Sequence, residues 1–130
     1  MITATVLFFL MILMHIIDDF VLQPKSLGHL KQKTWWKFEC EARRVEFQKY
    51  KYDYIAALII HGLSWAIMIH LPVIFLYNSP NIIILPISII AWGLLHSLID
   101  HLKANVGCIN LCVDQLFHFI QLILIWGYLK

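Results

Sequence analysis

The sequence predicts an all-α integral membrane protein, a bundle of four transmembrane helices with a cytoplasmic interfacial amphipathic helical segment after the first. Three observations predict it. Hydrophobic residues make up 61% of the chain and the mean hydropathy is +0.76, above the near-half apolar content of soluble domains. Only 14% of residues are charged, where soluble domains carry about a quarter. The apolar residues also fall into four long runs, each close to the ~20 residues that cross a bilayer. A chain of 130 residues spent this way is a single transmembrane domain, 1–130, with little mass outside the membrane.

The first span is expected at about 2–22, ended by Pro24. It has no basic leader and no small-residue cleavage site, so it reads as a retained span rather than a signal peptide. Residues 24–53 break the apolar pattern with the run TWWKFECEARRVEFQKYKYDY. Trp35, Phe38, Ala42 and Val45 recur there at helical spacing among basic residues, which suits a helix lying at headgroup level. A membrane-anchored connector is the simplest role, and recognition of a partner or lipid headgroup is the other.

The second span is expected at about 54–77 and the third at about 82–102, joined by an NSPN turn at 78–81. Pro86 falls early in the third span, where a proline costs least. NVGCIN, at 105–110, turns the chain into the fourth span at about 111–129. Gly93 and Ser97 give the third span a small-residue stripe for close helix packing.

Charge sets the expected orientation. Eight of the ten Lys and Arg residues lie between Lys25 and Lys51, and Lys103 falls on the same side; only Lys130 falls on the other. The positive-inside rule then makes the 24–53 segment and the 103–110 loop cytoplasmic, with both termini outside, in a bacterial inner membrane. No nucleic-acid module is present: there is no zinc-finger spacing, and the basic residues flank a membrane segment. Cys40, Cys108 and Cys112 are odd in number and give no disulfide framework; Cys108 and Cys112 are four apart and can share a helix face as reduced thiols.

Against this apolar background the ionisable residues are conspicuous. His15 and Asp19 end the first span, His61 opens the second, His96 and Asp100 end the third, and Asp114 and His118 open the fourth. In an up-down-up-down bundle these half-spans lie on one side of the membrane. His15/Asp19, His96/Asp100 and Asp114/His118 are each four apart and so share a helix face. Three carboxylates facing lipid unpaired would cost on the order of 8–10 kcal/mol, which directs them into the bundle interior. For any one pair, hydrogen bonding between spans is the simpler role. Three pairs and a fourth histidine at one depth point instead to a common ligand. Four histidines and three aspartates suit a divalent transition metal, Zn first, with Mn or Fe as alternatives. The set exceeds what one Zn needs, leaving open two metals or one metal with supporting groups. Gln121 continues the fourth helix's stripe inward. Asp18 and His101 lie one position off their stripes, His29 sits in the basic segment, and His70 is expected at the opposite interface.

HIIDDFVLQ, HSLIDHLKA and DQLFH resemble the signatures of a family of small bacterial and phage membrane proteins, the domain-of-unknown-function family 3307, and His61 matches its single second-span histidine. The resemblance covers nearly the whole chain. It implies the four-span fold and nominates His15, Asp19, Gln23, His61, His96, Asp100, Lys103, Asp114, Gln115 and His118. The connector between Gln23 and His61 is longer than the family pattern implies. The family in turn is similar to a group labelled membrane-bound metal-dependent hydrolases.

The resulting expectation is a membrane-embedded metal-dependent hydrolase acting in the cytoplasmic half of the bilayer. His15, Asp19, His61, His96, Asp100, Asp114 and His118 are the expected metal ligands, with Asp19, Asp100 or Asp114 available for proton transfer. Gln23, Lys103 and Gln115 would bind or orient an anionic, lipid-linked or phosphate-containing substrate. The bilayer is the expected partner, and a homo-oligomer is compatible. The alternatives are proton or metal-ion transport through a polar bundle, and a non-catalytic phage membrane factor with a structural metal. Transport is opposed by outer half-spans that carry almost no ionisable residue.

Overall fold

A computed structural model describes residues 3–76 and 84–129, and all its regular structure is helical. The expected 78–81 turn, the outermost expected span residues at 2, 77, 82 and 83, and Lys130 lie outside the described residues. Four helices are long and apolar enough to cross a membrane. Helix α1 (Ala4–Ile16) starts where the Thr3 hydroxyl accepts a hydrogen bond from the Val6 amide, and it runs on as a π-helical segment, Ile17–Leu22. After Pro24 come two short helices, α2 (Lys25–Leu30) and α3 (Lys33–Arg43), and a 3₁₀ turn at Phe47–Lys49. The long α4 (Asp53–Leu76) contains Pro72 without ending there. Helix α5 (Ile84–His101) continues as a second π-helical segment, Leu102–Val106, stopped by Gly107 in a left-handed conformation (φ 71°). The Asn110 side chain then accepts from the Val113 amide and caps α6 (Leu111–Leu129).

The four long helices form a ring. α4 packs most extensively along α5, α1 lies along α4, and α6 closes against α1 and α5. The α4–α5 contact is close because Gly62 faces Gly93: a Cβ on Gly62 would overlap the Gly93 carbonyl and the Ser97 hydroxyl. Ser97 Oγ donates to the carbonyls of Leu58 (2.8 Å) and Gly93 (2.9 Å), so the small-residue stripe read from the sequence is both steric and polar. The antiparallel α1–α6 contact is fixed at the far end by the Trp126 indole, which donates to the Ala4 carbonyl.

Burial divides the bundle along its length. Leu7, Met11, Trp65, Ala66, Ile69, Val73, Leu122 and Ile125 form one apolar core. The buried aspartates and every buried histidine but His70 collect at the other end, with Trp65 at the boundary. Outward faces carry large apolar side chains such as Phe9, Ile60, Phe75 and Leu116, a surface suited to a membrane protein.

Three expectations are corrected here. His70 is not interfacial but fully buried, with Nδ1 2.7 Å from the Ala66 carbonyl and Nε2 2.8 Å from Ser88 Oγ. Cys108 and Cys112 do not share a helix, because Cys108 lies in the loop before α6. In the 24–53 segment the helix ends at Arg43, so the stripe chosen by spacing does not reach Val45. Phe38, Ala42 and Val45 are exposed and Val45 lies beyond the helix, while Cys40 is buried and Trp36 donates to the Leu30 carbonyl.

Candidate metal centre

The seven residues nominated for metal come together in one chamber, each from the helix end that the sequence assigns. His15 is buried near the end of α1. The π-helical segment after it turns both Asp18 and Asp19 inward, because i→i+5 bonding changes the angular step between side chains. α4 contributes His61, Ser64 and Trp65; α5 contributes His96 and Asp100; α6 contributes Asp114, Gln115, His118 and Gln121.

Two triads of electron-pair donors stand out. In the first, His61 Nε2 lies 3.4 Å from Asp19 Oδ1 and 3.3 Å from His96 Nε2, and the Asp19–His96 separation is 3.9 Å. Asp100 Oδ2 is a further 3.5 Å from His61 Nε2. Donors bound at 2.0–2.2 Å around a tetrahedral metal stand roughly 3.4 Å apart, so these separations fit a metal ion. The second triad is built on His118. Gln121 Nε2 points at the Trp92 carbonyl (3.4 Å), which orients the amide so that its oxygen accepts from His118 Nδ1 (3.1 Å). In the neutral ring that leaves His118 Nε2 as a lone pair, facing Asp100 Oδ1 at 3.6 Å and Asp114 Oδ1 at 3.5 Å. A ring nitrogen with a carboxylate oxygen on either side calls for a cation, either a proton or a metal ion, and His96, Asp100 and His118 are the three residues there whose donor atoms lie within mutual reach. Asp19 Oδ1, Asp114 Oδ1, His96 Nδ1 and His118 Nε2 are buried without a hydrogen-bond partner, a rare condition for a satisfied core.

His15 plays a different part. The Trp65 indole can only donate, so its 2.8 Å contact makes His15 Nδ1 the acceptor and leaves Nε2–H to reach Gln115 Oε1 at 3.2 Å. With both nitrogens engaged, His15 supports the chamber wall in this arrangement. Trp65 also stacks on His96 at 4.3 Å between centroids, and His96 stacks on His118 at 4.0 Å.

Two lysines enter from the other side. Lys103 Nζ lies 2.5 Å from Asp114 Oδ2 and 3.9 Å from Asp100 Oδ1. Lys31 Nζ, from the residue that closes α2, lies 2.5 Å from Asp100 Oδ2 and 3.1 Å from Gln23 Oε1. Among the described residues of the chamber, four carboxylates (Asp18, Asp19, Asp100, Asp114) face two ammonium groups. With neutral histidines two negative charges remain, the charge of one divalent cation.

The chamber opens between the end of α1 and the start of α6. A cavity of about 170 Å³, bordered by Asp19, Gln23, Lys31, Lys103 and Gln115, adjoins one of about 390 Å³ that reaches Gly28 and Ala104. Gln23, Lys103 and Gln115 thus stand at the mouth.

The structure raises Asp18, which the sequence leaves as a possible ligand one position off its stripe, and adds two residues that sequence reasoning passed over. Asp18 is not a marginal neighbour: it is buried, accepts from Ser64 Oγ at 2.9 Å and lies 3.8 Å from His61 Nδ1. Trp65, one turn after His61, carried a usable spacing signal. Lys31 carried none, being one lysine among many in a connector. Of the other off-stripe residues, His101 stacks on Tyr54 away from the triads, and His29 is exposed against Trp35.

The family profile described as protein of unknown function (DUF3307) matches residues 7–130, and the chain belongs to that family. No curated protein and no solved structure matches it.

Proposed function

We propose that this protein is a membrane-embedded metal-dependent hydrolase. The observation that carries this reading is the triad of Asp19, His61 and His96, whose donor atoms stand at metal-ligand spacing with Asp100 beside them. The imidazole-rich set favours Zn, with Mn or Fe as alternatives. A metal bound there would lower the pKa of a water and polarise the scissile group. Whichever of Asp19, Asp100 and Asp114 is not ligating would take the proton. Asp18 would hold His61 from behind through Nδ1, as carboxylates commonly do for ligating histidines. Lys103, Gln115 and Gln23 would orient an anionic, lipid-linked or phosphate-containing substrate at the mouth. The basic residues cluster on the chamber's side, which supports a chamber in the cytoplasmic half of a bacterial inner membrane with both termini outside.

Transport is disfavoured by the interior beyond Trp65, where Leu7, Met11, Ile69, Val73, Leu122 and Ile125 pack tightly and the buried His70 and Ser88 are engaged with each other. The test is release of phosphate or headgroup from phospholipid substrates by metal-loaded protein in mixed micelles. Hydrolysis lost in both His96→Ala and Asp114→Asn supports the reading. Metal-loaded protein that turns over no phospholipid while remaining folded contradicts it and favours a structural metal.

A further inference from the structure

Asp100 lies against both donor sets. Asp100 presents Oδ2 to His61 of the first (3.5 Å) and Oδ1 to His118 of the second (3.6 Å). Its carboxylate therefore stands between two donor sets, the arrangement of a bridging ligand in centres whose ions lie about 3.5–4 Å apart. The second set, His118 Nε2 with Asp100 Oδ1 and with Asp114 Oδ1 on its other side, has its own second observation: the His118 and Asp114 atoms are buried without a hydrogen-bond partner and stand 3.5 Å apart.

Charge decides when such a second position can fill. One divalent cation matches the two uncompensated negative charges of the chamber. A second would leave an excess of two positive charges in a buried site, which is costly without a counter-ion. That counter-ion has a place. Lys31 and Lys103 flank the cavity at the mouth, and each is held by a carboxylate of the second set. A carboxylate that donates its charge to a metal holds its lysine less strongly, so both ammonium groups become available to an incoming anion. Gln23, already 3.1 Å from Lys31 Nζ, adds an amide donor at the same point. Two cationic arms and an excess of two positive charges select a dianion, and among lipid-compatible groups that is a phosphate monoester.

We infer that the chamber holds a second divalent cation at Asp100 and His118, with Asp114 beside His118, and that this cation binds together with a phosphate dianion gripped by Lys31 and Lys103. This rests on the metal reading above and adds its nuclearity, its substrate class and a role for Lys31. Coupling of this kind is reciprocal: phosphate raises affinity for the second cation, and the second cation raises affinity for phosphate.

The experiment uses the full chain in detergent, stripped with chelator and titrated with Mn²⁺ with and without inorganic phosphate. Bound Mn²⁺ is counted after desalting, and exchange coupling is followed by electron paramagnetic resonance. The expected result is one equivalent without phosphate and two with it, the second producing a coupled-pair signal. Phosphatidic acid micelles replace free phosphate in a second arm, with phosphatidylcholine as control. A response to phosphatidic acid at lower concentration than free phosphate identifies the lipid headgroup, and an equal response identifies the free anion. Lys31→Gln should retain the first equivalent and need at least tenfold more phosphate for the second, with Lys31→Arg restoring it. Should Lys31→Gln fail to fold, Lys103→Gln reads the same coupling. A stoichiometry that stays at one with phosphate, or reaches two without it, overturns the inference while leaving the first site standing. Failure to bind any Mn²⁺ or Zn²⁺ overturns the metal reading itself.

Discussion

The two ends of the bundle both bury histidine, and they treat it differently. In the apolar half, His70 has a partner on each ring nitrogen, the Ala66 carbonyl and Ser88 Oγ. Nothing there is left over, and the pair ties α4 to α5 as polar groups between spans commonly do. In the polar half, His96 and His118 are as deeply buried, yet each retains a ring nitrogen with no hydrogen-bond partner, and Asp19 and Asp114 each retain such a carboxylate oxygen. The same residue type serves as glue where its hydrogen bonds close and as a candidate ligand where they do not. Unsatisfied atoms gathered from three of the long helices therefore distinguish a site better than the mere presence of histidine in a span.

The most severe way to break this contrast is Asp100→Ala. It removes the carboxylate that stands against both His61 and His118 and leaves Lys31 buried with only Gln23, so stability should fall by about 3–5 kcal/mol. Thermal melting in detergent reads that loss, and bound metal should disappear with it. Gly62→Ala comes next. The new methyl meets the Gly93 carbonyl and Ser97, forcing α4 away from α5 at the level of His61, with a cost of about 1–3 kcal/mol and weakened metal binding. Ser88→Ala acts on the other half. It strips one partner from His70 and should cost about 1–2 kcal/mol while leaving metal content unchanged, the dissociation that the comparison requires.

The smallest effect belongs to Asn105→Ala. Asn105 accepts from the Lys33 amide (2.7 Å) and donates to the Lys31 carbonyl (2.9 Å), pinning α2 and α3 over the mouth. Its loss should cost about 1 kcal/mol, seen as faster amide hydrogen exchange confined to residues 25–43.

Much of this was legible in the sequence, for identifiable reasons. Long apolar runs announce spans because the membrane demands length and apolarity. The pairs His15/Asp19, His96/Asp100 and Asp114/His118 announce shared faces because α-helical spacing is fixed. Asp18 was set aside because the one-residue offset assumes α-helical rotation, and the π-helical segment at Ile17–Leu22 breaks that assumption. His70 was misplaced because depth along a span does not tell which neighbour supplies a partner; Ser88 is 18 residues away. Lys31 was invisible because its role depends on α2 folding back over the mouth, a tertiary event with no periodic trace. The division of labour between His15 and His61 likewise depends on Trp65, whose indole fixes the tautomer of one and not the other.

The central claim is that the unsatisfied end of the bundle holds a divalent metal, and the most direct measurement is metal content. Purified wild-type protein, loaded with Zn²⁺ and desalted, should be compared with His61→Ala, His96→Ala and His70→Ala under the same conditions. The account predicts stoichiometric metal in the wild type and in His70→Ala, and its loss in His61→Ala and His96→Ala while the fold persists. Folded wild-type protein that retains no metal, or metal that survives both chamber substitutions, would contradict it.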